Sequence, residues 1–168
     1  TNPETFTAGQ TLTAASMNIV SENTNVLYLA QQRLGYQTRA TNYAINQTAL
    51  ASASDIFSTS ITFTADGTSA YLLEYFFPAV DNGAANRQML LHFTDGSSTT
   101  LIGVVGSLIS VAGQTRSALH ARHYWTPTSG SKTVNMRAVY TGGTGNMFML
   151  AADGWAPGYM AVFGPVLT

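Results

Sequence analysis

The sequence predicts a mainly β fold: an antiparallel, jelly-roll-like β-sandwich preceded by one N-terminal α-helix. Three observations carry this. From Ile61 onward, eight or nine short apolar runs alternate with Gly-, Pro- and Asp-centred turns, the pattern of a sandwich. Before that, Thr13 to Leu34 is the one stretch with helical spacing. Finally, only 9% of the 168 residues are charged while 45% are hydrophobic. Ordinary domains carry about 25% charged residues.

The totals exclude several classes. Net charge is −1, so nothing is built to attract nucleic acid. There is no cysteine, hence no disulfide or thiolate metal site. No apolar run reaches the ~18 residues of a membrane span, and no basic-then-apolar signal pattern opens the chain. A chain so poor in charge and rich in aromatics is weakly protected against association. The expectation is a surface covered by identical neighbours; the alternative is a monomer coated with Thr, Ser, Asn and Gln.

In order, residues 1–12 read as a docking leader with Pro3 and Gly9. Residues 13–34 read as an oligomerising helix in which Met17, Val20, Thr24, Leu27, Gln31 and Leu34 form a seam at alternating steps of three and four. Thr13 is its expected N-cap and Gly35 its C-terminal residue. Residues 35–60 read as an extended arm, anchored by Tyr36, Tyr43, Ile45, Leu50, Ile56 and Phe57. Residues 61–168 form the sandwich body. Its expected strands are 61–64, 70–77 (ended by Pro78), 88–94 and 99–105, then 108–111, 117–125, 133–140, 147–151 and 159–163. Asp95-Gly96 is the expected hairpin turn.

One strand argues beyond fold class. In Tyr71-Leu72-Leu73-Glu74-Tyr75-Phe76-Phe77 both alternating faces are apolar, whereas a strand with one wet face alternates apolar with polar. Met147-Phe148-Met149-Leu150 has the same character. The face of Leu72, Glu74 and Phe76 is therefore expected to be covered by a symmetry mate. Glu74 would then need a cation, and Arg122 and Arg137 are the arginines to test.

The opening also resembles the N-termini of tailed-bacteriophage virion structural proteins, on Thr7, Ala8, Gly9, Leu12, Thr13, Ala14, Ala15 and Asn18. The stretch ITFTADGTSAYLLEYFFPAV and the Tyr-Met-Ala-Val-Phe-Gly-Pro close look like their β-sandwich knobs. The resemblance implies a virion location, assembly in the host cytoplasm, a homotrimeric knob that is tail-associated or decorates the capsid, and docking to other virion proteins through residues 1–34. The absence of fibre repeats favours a compact knob.

Catalytic and metal motifs weigh little. His120 and His123, three apart on a strand, face opposite sides and do not easily share an ion; His92, from a neighbouring strand, is the candidate to join one of them. Asp66, Asp81, Asp95 and Asp153 fall in turns, and Glu74 has no evident acidic partner for glycoside hydrolysis. Gly-x-Ser-x-Gly is absent, and Thr141–Gly145 has no helix behind it to cradle phosphate. No cofactor is expected. The second reading is a host-receptor module whose loops, at Asp81, Asn82 and Asn86 and at Gly142 and Gly143, read a surface glycan; Tyr124, Trp125 and Trp155 are its stacking candidates. A small glycan hydrolase is the third.

The helical seam makes the first prediction. Leu27→Asp should break oligomerisation and spare the β-body, and an unchanged sedimentation coefficient would remove the seam.

Overall fold

The computed structural model describes residues 32–82, 87–96, 100–109, 116–142, 147–152, 154 and 156–166. Among them are ten strands in two antiparallel sheets packed face to face. Residues 13–31 of the helix expected over 13–34, with Met17, Val20, Thr24 and Leu27, lie outside the described residues.

The chain enters on β1 (Arg33–Arg39), which corrects the expected end of the helix. Leu34 packs on the core rather than in a helical seam. Pairing of β1 with the last strand satisfies backbone groups that a helix end would leave open. Gly35 is a packing residue and not a helix cap: a Cβ there would overlap the Ile61 side chain. Residues 35–60 continue into β2 (Tyr43–Ile45) and a single 3-10 turn at Leu50–Ser52. Arg39 fastens this stretch, donating to the carbonyls of Thr41, Ile56 and Asn42 at 2.9, 2.5 and 3.2 Å. Ile45, Ile56 and Phe57 are core residues.

The body follows as β3 (Ile61–Ala65), β4 (Ala70–Asn82), β5 (Gln88–Asp95), β6 (Thr100–Ile109), β7 (Arg116–Trp125), β8 (Gly130–Thr141), β9 (Met147–Leu150) and β10 (Gly158–Val166). One sheet runs β1-β10-β4-β9-β2, with β7 on the other side of β4; the second runs β3-β8-β5-β6. The expected runs at 99–105 and 108–111 are one strand, β6, because β5 pairs along its whole length through two register shifts.

The sequence predicts that Pro78 ends this strand, but β4 runs through it to Asn82. The proline sits at a register shift where one neighbour replaces another: β10 pairs the first part of β4, up to Phe76, and β9 pairs from Ala79 onward. The ladder to β7 also shifts between Phe77 and Val80. A residue without an N–H is tolerated where the ladder is already interrupted.

Asp66-Gly67 and Asp95-Gly96 turn as expected, with Gly67 at φ 85° and Gly96 at φ 70°. Asp66 accepts from the Thr68 and Ser69 amides at 2.9 and 2.8 Å, and from the Ser69 hydroxyl. These bonds hold its carboxyl down at about 2.

The core lies between the sheets. Tyr71, Leu73, Tyr75 and Phe77 of β4 meet Met89, Leu91 and Phe93 of β5 and Val134, Met136 and Ala138 of β8. Tyr75 and Phe93 pack edge-on across the layers at 6.1 Å between centroids. Gly158 lies flat on the Phe77 ring, where an added Cβ would sit 2.5 Å from a ring carbon. Gly158→Ala should therefore lower unfolding stability by about 1–3 kcal/mol, the cost of overpacking; urea denaturation reads it directly.

Candidate functional site: the outer face of the six-stranded sheet

Strand alternation sends Leu72, Glu74 and Phe76 to the side of β4 opposite the core. Cross-strand register builds rows around them. Thr38, Tyr159, Phe76 and His120 form one row; Tyr36, Ala161, Glu74 and Arg122 the next; Arg33, Phe163, Leu72 and Tyr124 the third. Each row crosses β1, β10, β4 and β7. The Tyr36 and Tyr159 rings lie 5.5 Å apart, Tyr159 and Phe76 5.9 Å, and Phe76 and His120 6.4 Å. The Arg33 guanidinium covers Tyr36 at 4.8 Å. Tyr36 is 42% exposed and Tyr124 62%.

Glu74 sits in the middle of this face and is only 7% exposed. Its Oε1 accepts from the Tyr159 hydroxyl at 2.7 Å, and its Oε2 accepts from Arg122 Nε at 2.5 Å. His120 Nε2 lies 3.6 Å from the same Oε2. Of the two arginines singled out from sequence, Arg122 is the partner. Burial pushes the Glu74 carboxyl up, but the bonds from Tyr159 and Arg122, with the charges of Arg122 and His120, outweigh it and hold the group below its ordinary value. Burial and the bond to Glu74 push the Tyr159 phenol up to about 12. The face thus carries an aromatic ring on each of its four strands and a neutralised carboxylate at its centre.

The remaining candidates scatter. Arg137 is on the other sheet, where its Nε donates to Asp55 Oδ1 at 2.7 Å and clamps the arm. His123 points inward against Gly103 of β6, and His120 outward. His92 is buried on β5 opposite Arg137, and neither ring nitrogen has a hydrogen-bond partner. Among the described residues no group of three or more His, Cys, Asp or Glu is placed to hold a metal. Trp125 packs edge-on against Phe63 in the interior. Asn86, Gly143 and Trp155 lie outside the described residues, and Gly142 follows β8 at φ 71°.

The register nevertheless relates the two candidate loops. Asn82 pairs with Met147, Asp81 with Arg116, and Gln88 with Thr141. The connections after β4, β6 and β8 therefore leave the sandwich at the same end.

Sequence reasoning missed Tyr36, Tyr159, Phe163 and His120 as members of the face. Each is unremarkable on its own strand. Only the pairing order, which puts β10 and β7 on either side of β4, assembles them.

No family model matches the chain, and no curated protein matches it. Solved structures do. The structure of infectious bursal disease virus, Gx strain, matches at 14% identity over 76% of this chain and 30% of that one, with a TM-score of 0.39. A mutant VP2 protein of infectious bursal disease virus, from derived T=1 particles, matches at 12% identity over 80% of this chain and 36% of that one, TM-score 0.34. A crystal structure of the viral particle of the same virus matches at 10% identity over 83% of this chain and 36% of that one, TM-score 0.35. This chain spans about a third of the length of the chains it matches.

The carboxylate at the centre gives a pH-dependent prediction. Glu74 has its folded value below 4.5. Its contribution is therefore present above that pH and is lost as pH falls through the depressed value. In Arg122→Leu only Tyr159 and the more distant His120 oppose burial. The variant should be less stable than wild type at neutral pH, and the gap should close as pH falls through the depressed Glu74 value and the carboxyl becomes protonated in both. Denaturant midpoints across that range measure it.

Proposed function

We propose that this chain is a non-enzymatic virion structural protein of the tailed-bacteriophage kind. In this reading it is a homotrimeric surface knob, tail-associated or capsid-decorating, held to the particle through residues 1–34. One observation carries the proposal: an outer sheet face that is aromatic across four strands and whose carboxylate, Glu74, is neutralised within the face. Such a face gains by leaving water; its Glu74 carboxylate is paired with Arg122, and the Arg33 guanidinium is laid over the Tyr36 ring. Copies of the chain are the occupant that the low charge content favours. The phage-like phrases at Thr7 to Asn18 support the virion setting.

A second reading, a module that binds a host-surface glycan, draws on the convergence of the candidate loops at one end of the sandwich. Tail or head placement is a question for electron microscopy of intact particles.

Sedimentation velocity on the purified chain tests the leading reading. Wild type should run as a trimer. The double variant Tyr36→Glu/Tyr124→Glu alters two exposed rings, so it should keep its circular dichroism spectrum and melting transition while its sedimentation coefficient falls toward that of one chain. A wild type that stays solitary at high concentration sinks the proposal.

A further inference from the structure

The second sheet carries a different feature on its own outer side. The arm residues Asp55, Ser58, Thr59 and Ser60 face Thr133 and Asn135 of β8 and the turn residue Gly96 across a groove of about 550 Å³. That volume lies in the range of small-molecule sites, about 300–1,000 Å³. The groove lies toward the Asp95-Gly96 end of β5, whereas the candidate loops leave from the Gln88 end.

Its floor is fixed. Asn135 is 5% exposed, and its Nδ2 donates to the Gly96 carbonyl at 2.6 Å, which leaves the amide oxygen for the groove. The Gly96 amide is itself held by the Thr133 carbonyl at 2.6 Å. Asp55, on the groove wall, is pinned through Oδ1 by Arg137 at 2.7 Å and by its bridge to β8, so its carboxylate is held in place. The Ile56 amide, bonded to the Met136 carbonyl at 2.8 Å, anchors the arm just beside it. Ser58 and Ser60 bring hydroxyls to the wall.

The lining selects the ligand by elimination. No aromatic or long aliphatic side chain is present, so an apolar molecule would gain little by leaving water. The one formal charge on the wall is a carboxylate, which disfavours an anion. A hard divalent cation wants six or more oxygens, several of them carboxylate, and one carboxylate already bonded to arginine does not provide that. Oriented acceptors beside hydroxyls that both donate and accept match a ligand that is itself a ring of hydroxyls.

We propose that this groove is a binding site for one sugar residue of a glycan. The site is independent of the self-association reading, since it lies on the other sheet and uses none of the same residues.

Saturation-transfer difference NMR on the full chain, with the methyl glycosides of glucose, galactose, mannose and N-acetylglucosamine as probes, tests it. Calcium chloride and inorganic phosphate serve as competitors. At least one glycoside should receive saturation and keep it in the presence of both salts. Ser60→Trp, which fills the groove from its wall, should abolish the signal. Ser58→Ala/Ser60→Ala, which removes two hydroxyls and leaves the space, should weaken the affinity about tenfold. The proposal is overturned if no glycoside is saturated by folded wild type, or if calcium or phosphate displaces the sugar. It also falls if the signal survives undiminished in both variants; should Ser60→Trp fail to fold, the double alanine variant decides alone.

Discussion

The structure depends on β4 being apolar on both sides while holding one carboxylate. As the central strand of its sheet, it is paired to β7 on one edge and to β10 and β9 in turn on the other. Tyr71, Leu73, Tyr75 and Phe77 on its inner side build much of the core. On its outer side, Glu74 would be costly in an apolar row if it stood alone. Tyr159 from β10 and Arg122 from β7 supply the two bonds that keep it charged, so the carboxylate ties the three strands together at side-chain level. Pairing order and electrostatics thus agree: the strands that flank β4 are those carrying the groups Glu74 needs.

Much of this was legible in the residues. The turn chemistry of Asp66-Gly67 and Asp95-Gly96, the alternation along β3 and the two apolar faces of β4 are local, and local patterns survive tertiary packing. The demand of Glu74 for an arginine was legible too, because charge burial is a constraint on composition. What escaped were facts of pairing. Pro78 reads as a stop until one sees that two neighbours meet at that point of β4. Leu34 and Gly35 read as a helix end because their spacing fits one, yet the partner on β10, more than a hundred residues away, makes them a strand. Asp55 and Asn135 looked like an arm residue and a strand residue with nothing in common; a long-range bridge to Arg137 puts them on one groove.

The two outer faces have opposite chemistry. The six-stranded sheet shows rings around a neutralised centre. The four-stranded sheet shows hydroxyls, amides and an arginine-held carboxylate, and beneath them lie His92 and Thr94, buried with polar atoms that have no hydrogen-bond partner. Burial pushes the His92 imidazole below its ordinary value, so it is neutral at pH 7. One face is suited to losing water altogether, the other to exchanging water for a polar ligand.

The scarcity of charge can now be read mechanistically. Four acids have described side chains, and each serves the fold: Asp55 with Arg137, Asp66 in its own turn, Glu74 with Arg122 and Tyr159, and Asp95 with the Thr133 amide. None stands apart as a repulsive guard on the aromatic face. Soluble monomers keep such faces apart with unpaired surface charges, and here the carboxylates are engaged in holding strands and turns. With a net charge of −1, long-range repulsion between copies is also weak. A face of aromatic rings around a neutralised carboxylate favours contact with a like face, and that is the physical reason to place self-association ahead of a solitary role.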